Sequence, residues 1–149
     1  MVTSKRRTGD IDALYAALES LHVSLVVPNC DTGDYLVRNL AGIDTESGVI
    51  AIGDRVEPGQ KIFFSRRDRE AAAHDLQAMV RKAHSRATTI NGALYVSCCG
   101  RGPHLFTSAE EEIGLVQDVL GDVPMAGFYA NGEIAGDRIY GYSGVLALF

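Results

Sequence analysis

Two turns concentrate the residues able to do chemistry. In "YVSCCGRGPHLF", residues 95–106, the adjacent Cys98 and Cys99 are followed by Gly100, Arg101 and Gly102. In "GFYANGEIAGDR", residues 127–138, Asn131, Gly132 and Glu133 stand inside a glycine-bounded loop. A thiol beside a cation and ahead of a helix N-terminus is favoured as thiolate, so Cys98 is a candidate nucleophile, expected to react ahead of Cys99 and Cys30. Cysteine catalysis also needs a base and usually an orienting group. The near base in sequence is His104, with Asn131 or Glu133 available only if the fold brings them in. The same residues suit binding: Arg101 could receive a carboxylate and Glu133 an ammonium group, while the glycines admit a ligand close to the backbone. Arg38 is the third point. It stands mid-strand in "YLVRNL", where it either faces solvent or, facing inward, must be paired or contact an anion.

Composition removes several classes. With 14 Lys and Arg against 19 Asp and Glu, the net charge of −5 leaves no basic face for phosphate, so nucleic acid is not expected as a partner. The one basic start, Lys5-Arg6-Arg7, reads as a solvated tail. No apolar run approaches the roughly 20 residues that cross a bilayer, and Asp10, Asp12 and Glu19 fall where a signal peptide would be apolar; a cytoplasmic protein with no membrane partner is the expectation. Three cysteines give no paired secretory framework, and their spacing offers no zinc site, so no metal is expected. Gly100-x-Gly102 lacks the third glycine of a dinucleotide fingerprint, position 105 being Leu, and the Walker pattern is absent. No cofactor is implied.

The elements that must position these turns follow from periodicity. Ile11, Leu14, Tyr15, Leu18 and Leu21 recur at helical spacing, predicting a helix near residues 10–21. Four strand-like runs come next without an intervening helix: "HVSLVVP", "YLVRNLAGI", "VIAI" and "KIFFS". The five-residue "DTESG" makes the second and third a hairpin, and the four read as a meander or close to it. Residues 68–85 form the strongest helix, with Ala72, Leu76, Met79, Val80 and Ala83 on one stripe and His74 and His84 on or beside the polar side. "GALYVSCC" is a strand leading through the first turn to a helix near 108–120, for which both Thr107 and Ser108 are cap candidates. "VPMAGFYA" and "RIYGYSGVLALF" are two final strands joined by the Asn131-Gly132 turn, the last bent by its glycines. The sum is an α+β fold: a tail and helix over 1–20, then a single domain over 21–149 with a mainly antiparallel mixed sheet and about three helices.

Four stretches, "GDYLVRNLAGID", "GVIAIGDRVEPGQKIFF", "ALYVSCCGRG" and "VPMAGFYANGEI…YGYSGVLALF", occur in the order in which they occur in the FIST family, and from Leu21 to Phe149 the chain resembles the C-terminal half of that family. The most specific pieces are C-x-G-R-G at Cys98 to Gly102 and G-F-x-x-x-G-E-I at Gly127 to Ile134. The resemblance implies a sensory input domain of a signal-transduction protein that binds small ligands such as amino acids, with no established catalytic activity. Its motif positions are Arg38, Asn39, Asp68, Cys98, Gly100, Arg101, Gly102, Asn131, Gly132 and Glu133, and all but Asp68 form the expected ligand-binding set. A second implication is an interaction module that docks a FIST N-terminal half or pairs with its own copy.

Overall fold

The computed structural model describes residues 21–28, 33–44 and 46–149, and of Pro103 and His104 the backbone alone. The helix expected near 10–21, but for its last residue, and Cys30 lie outside the described residues. The chain divides after Arg67 into two compact units.

In the first unit, β1 (Leu21–Val26), β2 (Tyr35–Asp44), β3 (Val49–Ile52) and β4 (Ile62–Arg66) form an antiparallel sheet in the order β3-β2-β1-β4. The expected hairpin closes as read, Asp44 standing opposite Val49. The meander does not hold. β4 returns past the hairpin to pair with β1, which is Greek-key order. Central β1 buries Val23 and Leu25, and Ser24 shares a hydrogen bond with Ser65 at 2.8 Å between their hydroxyl oxygens.

The second unit opens with α1 (Arg69–Arg86), whose N-terminus is capped by Asp68, its Oδ1 accepting the Ala71 amide at 2.9 Å. Leu76 and Val80 are buried, while Met79 is exposed because it falls off the stripe that faces the sheet; His74 and His84 are exposed as expected. Next come β5 (Ala93–Cys98), the single turn α2 (Gly102–Leu105), α3 (Ala109–Leu120) and β6 (Met125–Ala130). A strand, a helix and a parallel neighbouring strand make a crossover unit, and β5 pairs β6 in parallel, with antiparallel β9 (Gly144–Leu148) on its other side. β7 (Glu133–Ala135) and β8 (Arg138–Tyr140) form a separate hairpin.

The class is therefore α+β with one parallel pairing among otherwise antiparallel ones, distributed over separate sheets instead of one, and with two full helices among the described residues where about three were expected. No described helix is long and apolar enough to cross a membrane.

Strand alternation decides what the core sees. Ala93, Tyr95 and Ser97 share one face of β5, and the core built on that face joins Leu76 and Val80 of α1, Phe106, and Val116 and Leu120 of α3. Phe106 and Val116 are removed from water, each contributing roughly 1.5–3 kcal/mol by burial.

Candidate functional site

β5 carries its side chains to two different environments, and the turn that follows it links them. On the helix face, Glu112 is 1% exposed. It belongs to α3, where Ser108 is the N-cap, accepting the Glu111 amide at 3.3 Å; one turn on, Glu112 shares the buried stripe with Val116 and Leu120. Its carboxylate accepts hydrogen bonds from the Tyr95 hydroxyl at 2.9 Å, from the Ser97 hydroxyl at 2.9 and 3.0 Å, and from Arg101 Nε at 2.7 Å. Burial pushes the Tyr95 hydroxyl far above the ordinary phenol range, and the neighbouring carboxylate adds to this against the Arg101 charge. Tyr129 is raised also, first by burial and then by the charge of Glu112.

Arg101 is held from behind as well as in front. Its amide donates to the Cys98 carbonyl at 2.8 Å, and its guanidinium lies 5.3 Å from the centre of the Phe106 ring. Nε is taken by Glu112; the two Nη nitrogens have no partner among the described residues.

On the other side, Glu133 opens β7 and is 2% exposed. The Ser143 hydroxyl donates to its Oε2 at 2.6 Å, and Oε1 has no hydrogen-bond partner. Burial pushes this carboxyl above the usual range, against the Ser143 hydroxyl, the Cys98 thiol, the Ser143 amide and the Arg101 charge, which all pull it down. Ser143 is presented by the turn between β8 and β9, where Tyr142 has a φ of 58°, unusual for a bulky residue and of the kind found at functional turns. Gly100 makes room for that turn: a Cβ there would lie 2.9 Å from the Tyr142 ring and 3.7 Å from Cys98 Sγ. At Gly102 a Cβ would meet the Tyr129 ring at 2.7 Å.

The sequence-predicted residues separate accordingly. Cys98, Gly100, Arg101, Gly102, Gly132 and Glu133 gather around the end of β5, with Asn131 exposed at its edge. Arg38 and Asn39 lie in the first unit. Arg38 is half-buried and paired, its Nε 2.7 Å from Asp54 Oδ2, and Asn39 is exposed, its carbonyl accepting the Gly53 amide. Asp68 is the cap of α1. Cys98 and Cys99 do point apart, but the accessible thiol is the unexpected one: Cys98 is 6% exposed and Cys99 lies in solvent. The expected labelling order is corrected to Cys99 before Cys98 on this ground. Asn131-Gly132 is not the hairpin turn either. Gly136-Asp137 joins β7 to β8, with the positive φ of 61° at Gly136 that a two-residue loop of the II′ class requires.

Sequence reading missed Glu112, Tyr95, Ser97, Tyr142 and Ser143. The signal for Glu112 was present in the spacing of 112, 116 and 120, which puts an acid on an otherwise apolar stripe.

The unpaired oxygen has a stability consequence. Glu133 holds its proton more tightly folded than unfolded, so its contribution is full below the ordinary carboxylate range and is lost as pH rises through its raised value. Glu133→Gln is therefore expected to match the wild type in acid and to become progressively more stable than it toward neutral pH. Urea unfolding across that range checks this, and parallel curves at all pH values would refute it.

Comparison with known proteins agrees with the motif order. The FIST C domain model matches residues 5–136. An uncharacterized protein of Mycobacterium tuberculosis (strain ATCC 25618 / H37Rv) is 38% identical over 131 residues, covering 84% of this chain and 33% of that protein. One of Mycobacterium bovis (strain ATCC BAA-935 / AF2122/97) is 37% identical over 122 residues, covering 78% and 32%. The chain thus spans about a third of the length of the curated relatives it matches. No solved structure matches. Since the family model covers most of the sequence and the C-x-G-R-G and G-E-I motifs supply the buried cluster at the end of β5, the chain belongs to the FIST C-domain family, a signal-transduction sensory-type family.

Proposed function

We propose that this domain is a cytoplasmic ligand-binding input unit for a small metabolite carrying both charges, amino acids and their relatives being the fitting class. The observation that carries the reading is the orphaned Oε1 of Glu133, since a buried polar atom without a partner costs about 1–3 kcal/mol and a ligand ammonium group would satisfy it. The Nη nitrogens of Arg101, held by Glu112, are the anion contact. Cys98, Gly100, Gly102, Asn131 and Gly132 form the surrounding wall. A thermal-shift screen of amino acids and small metabolites tests this: a ligand at 100 times its Kd is expected to add about 2.7 kcal/mol, and Glu133→Gln to abolish the shift. A screen with no hits counts against the reading.

A second reading, docking of a FIST N-terminal half or of a second copy, is favoured by apolar exposure. In the second unit Phe128 and Ile134 are 62% and 74% exposed, with Ile139 and Phe149 also exposed; in the first, Ile62, Phe63 and Phe64 on β4 are. Exposed apolar groups in such number mark interaction surfaces. Light scattering is expected to show association that depends on concentration, and Phe128→Ser to weaken it. A monomer at all concentrations would set aside the second copy, and one that also fails to bind an added N-terminal half would end this reading.

A further inference from the structure

We infer that a cation reaches Glu133 only in exchange for a proton, so that the site senses pH together with its ligand. The inference rests on the binding reading above and specifies its regulation. Its basis is the count of charges around the end of β5. Two carboxyl groups, Glu112 and Glu133, are almost wholly removed from water, and one guanidinium serves both. The Arg101 Nε is fixed on Glu112 at 2.7 Å, so Glu112 is the neutralised partner and Glu133 is the one left over.

The groups that face Glu133 do not make up the difference. From β5 comes the Cys98 thiol; from the turn after it, the Arg101 charge; from the turn before β9, the Ser143 hydroxyl and amide. Tyr140 of β8 stands opposite Glu133 in register, and Tyr142 packs over Gly100. Arg101 is the one cation in this set, with Glu112 behind it. An ionised carboxylate so placed shares its counter-ion with Glu112 and leaves Oε1 without a hydrogen bond, and burying a charge in that condition costs several kcal/mol. A proton removes the cost when the site is empty, in the same sense as the upward shift caused by burial. An incoming ammonium group removes it by supplying charge and an N–H donor to Oε1 together. Both cannot occupy the same oxygen, so the entering cation releases the proton to solvent.

The test is carbon-13 NMR of the glutamate carboxyl groups across pH, with and without methylammonium as the cationic probe. Glu133→Gln assigns the signal. Ser143→Ala, which removes the donor to Oε2, is the second variant and is expected to move the midpoint further up while keeping the response. Without the probe, Glu133 is expected to titrate above the usual carboxylate range. Methylammonium is expected to lower that midpoint, and its affinity to fall about tenfold for each pH unit below the free midpoint while staying flat above it. An ordinary carboxylate midpoint, or one that methylammonium does not move, overturns the exchange. A metabolite that binds without moving the midpoint would overturn it too while leaving the binding reading intact. A midpoint that responds to methylammonium when no metabolite binds would do the reverse.

Discussion

Gly127→Ala is expected to destabilise the domain by about 3 kcal/mol, the upper end of what overpacking usually costs and a large fraction of the 5–15 kcal/mol typical of a folded protein. The reason is a backbone approach, not a side-chain one. Gly127 stands opposite Tyr95 in the parallel β5–β6 pair, and a Cβ there would lie 2.1 Å from the Tyr95 carbonyl oxygen and 3.1 Å from its carbonyl carbon. A flexible side-chain end could swing aside; two hydrogen-bonded strands cannot. Relief requires β6 to move off β5, which would break the parallel pairing from Ala93–Met125 to Cys98–Ala130. Urea unfolding measures the loss. Gly114→Ala is the control, since position 114 lies within α3 and a Cβ there meets nothing within 4 Å; it is expected to add roughly 0.5–1 kcal/mol by helix propensity. If the two substitutions cost the same, the close approach at Gly127 is not the constraint described.

This contrast also shows what could be read in the sequence. Strand and helix positions followed from local periodicity, which is why α1, α3 and the β2–β3 hairpin fell where expected. Pairing order did not, because nothing in "GDRVEPGQ" between β3 and β4 says whether the next strand continues outward or returns to β1. The alternation rule was right that Cys98 and Cys99 face opposite ways, but which face is covered depends on the β7–β8 hairpin and the Tyr142–Ser143 turn, about 35–45 residues downstream. The Asn131-Gly132 signal misled because a second glycine turn, Gly136-Asp137, competes within the same loop and carries the two-residue geometry. At the candidate site, the motif glycines, Arg101 and Glu133 were legible as residue types. The acid that holds Arg101 was not, since in "SAEEEIG" three consecutive glutamates read as a solvated helix start, and only packing distinguishes Glu112 from Glu110 and Glu111.

Glu112→Ala is expected to be the most damaging substitution in the second unit, at about 3–5 kcal/mol, the cost of breaking a buried ion pair by removing one partner. Three groups depend on this one carboxylate: the Tyr95 hydroxyl, the Ser97 hydroxyl and Arg101 Nε, and the first two are buried. The charge left behind is the worst of these, because Arg101 has a side chain only 11% exposed, held over Phe106, and Glu112 is its ion-pair partner. The other buried carboxyl at the end of β5, Glu133, already feels the Arg101 charge. Two readouts separate stability from positioning. Glu112→Gln keeps an acceptor for the hydroxyls while removing the charge, so it is expected to lose less stability than Glu112→Ala. Freed from Glu112, Arg101 is then expected to turn toward Glu133 and bring its carboxyl down toward the ordinary range. A Glu133 midpoint that stays where it was in Glu112→Gln would mean that Glu112 does not hold the guanidinium away from Glu133, and the division of labour between the two carboxyl groups would have to be abandoned.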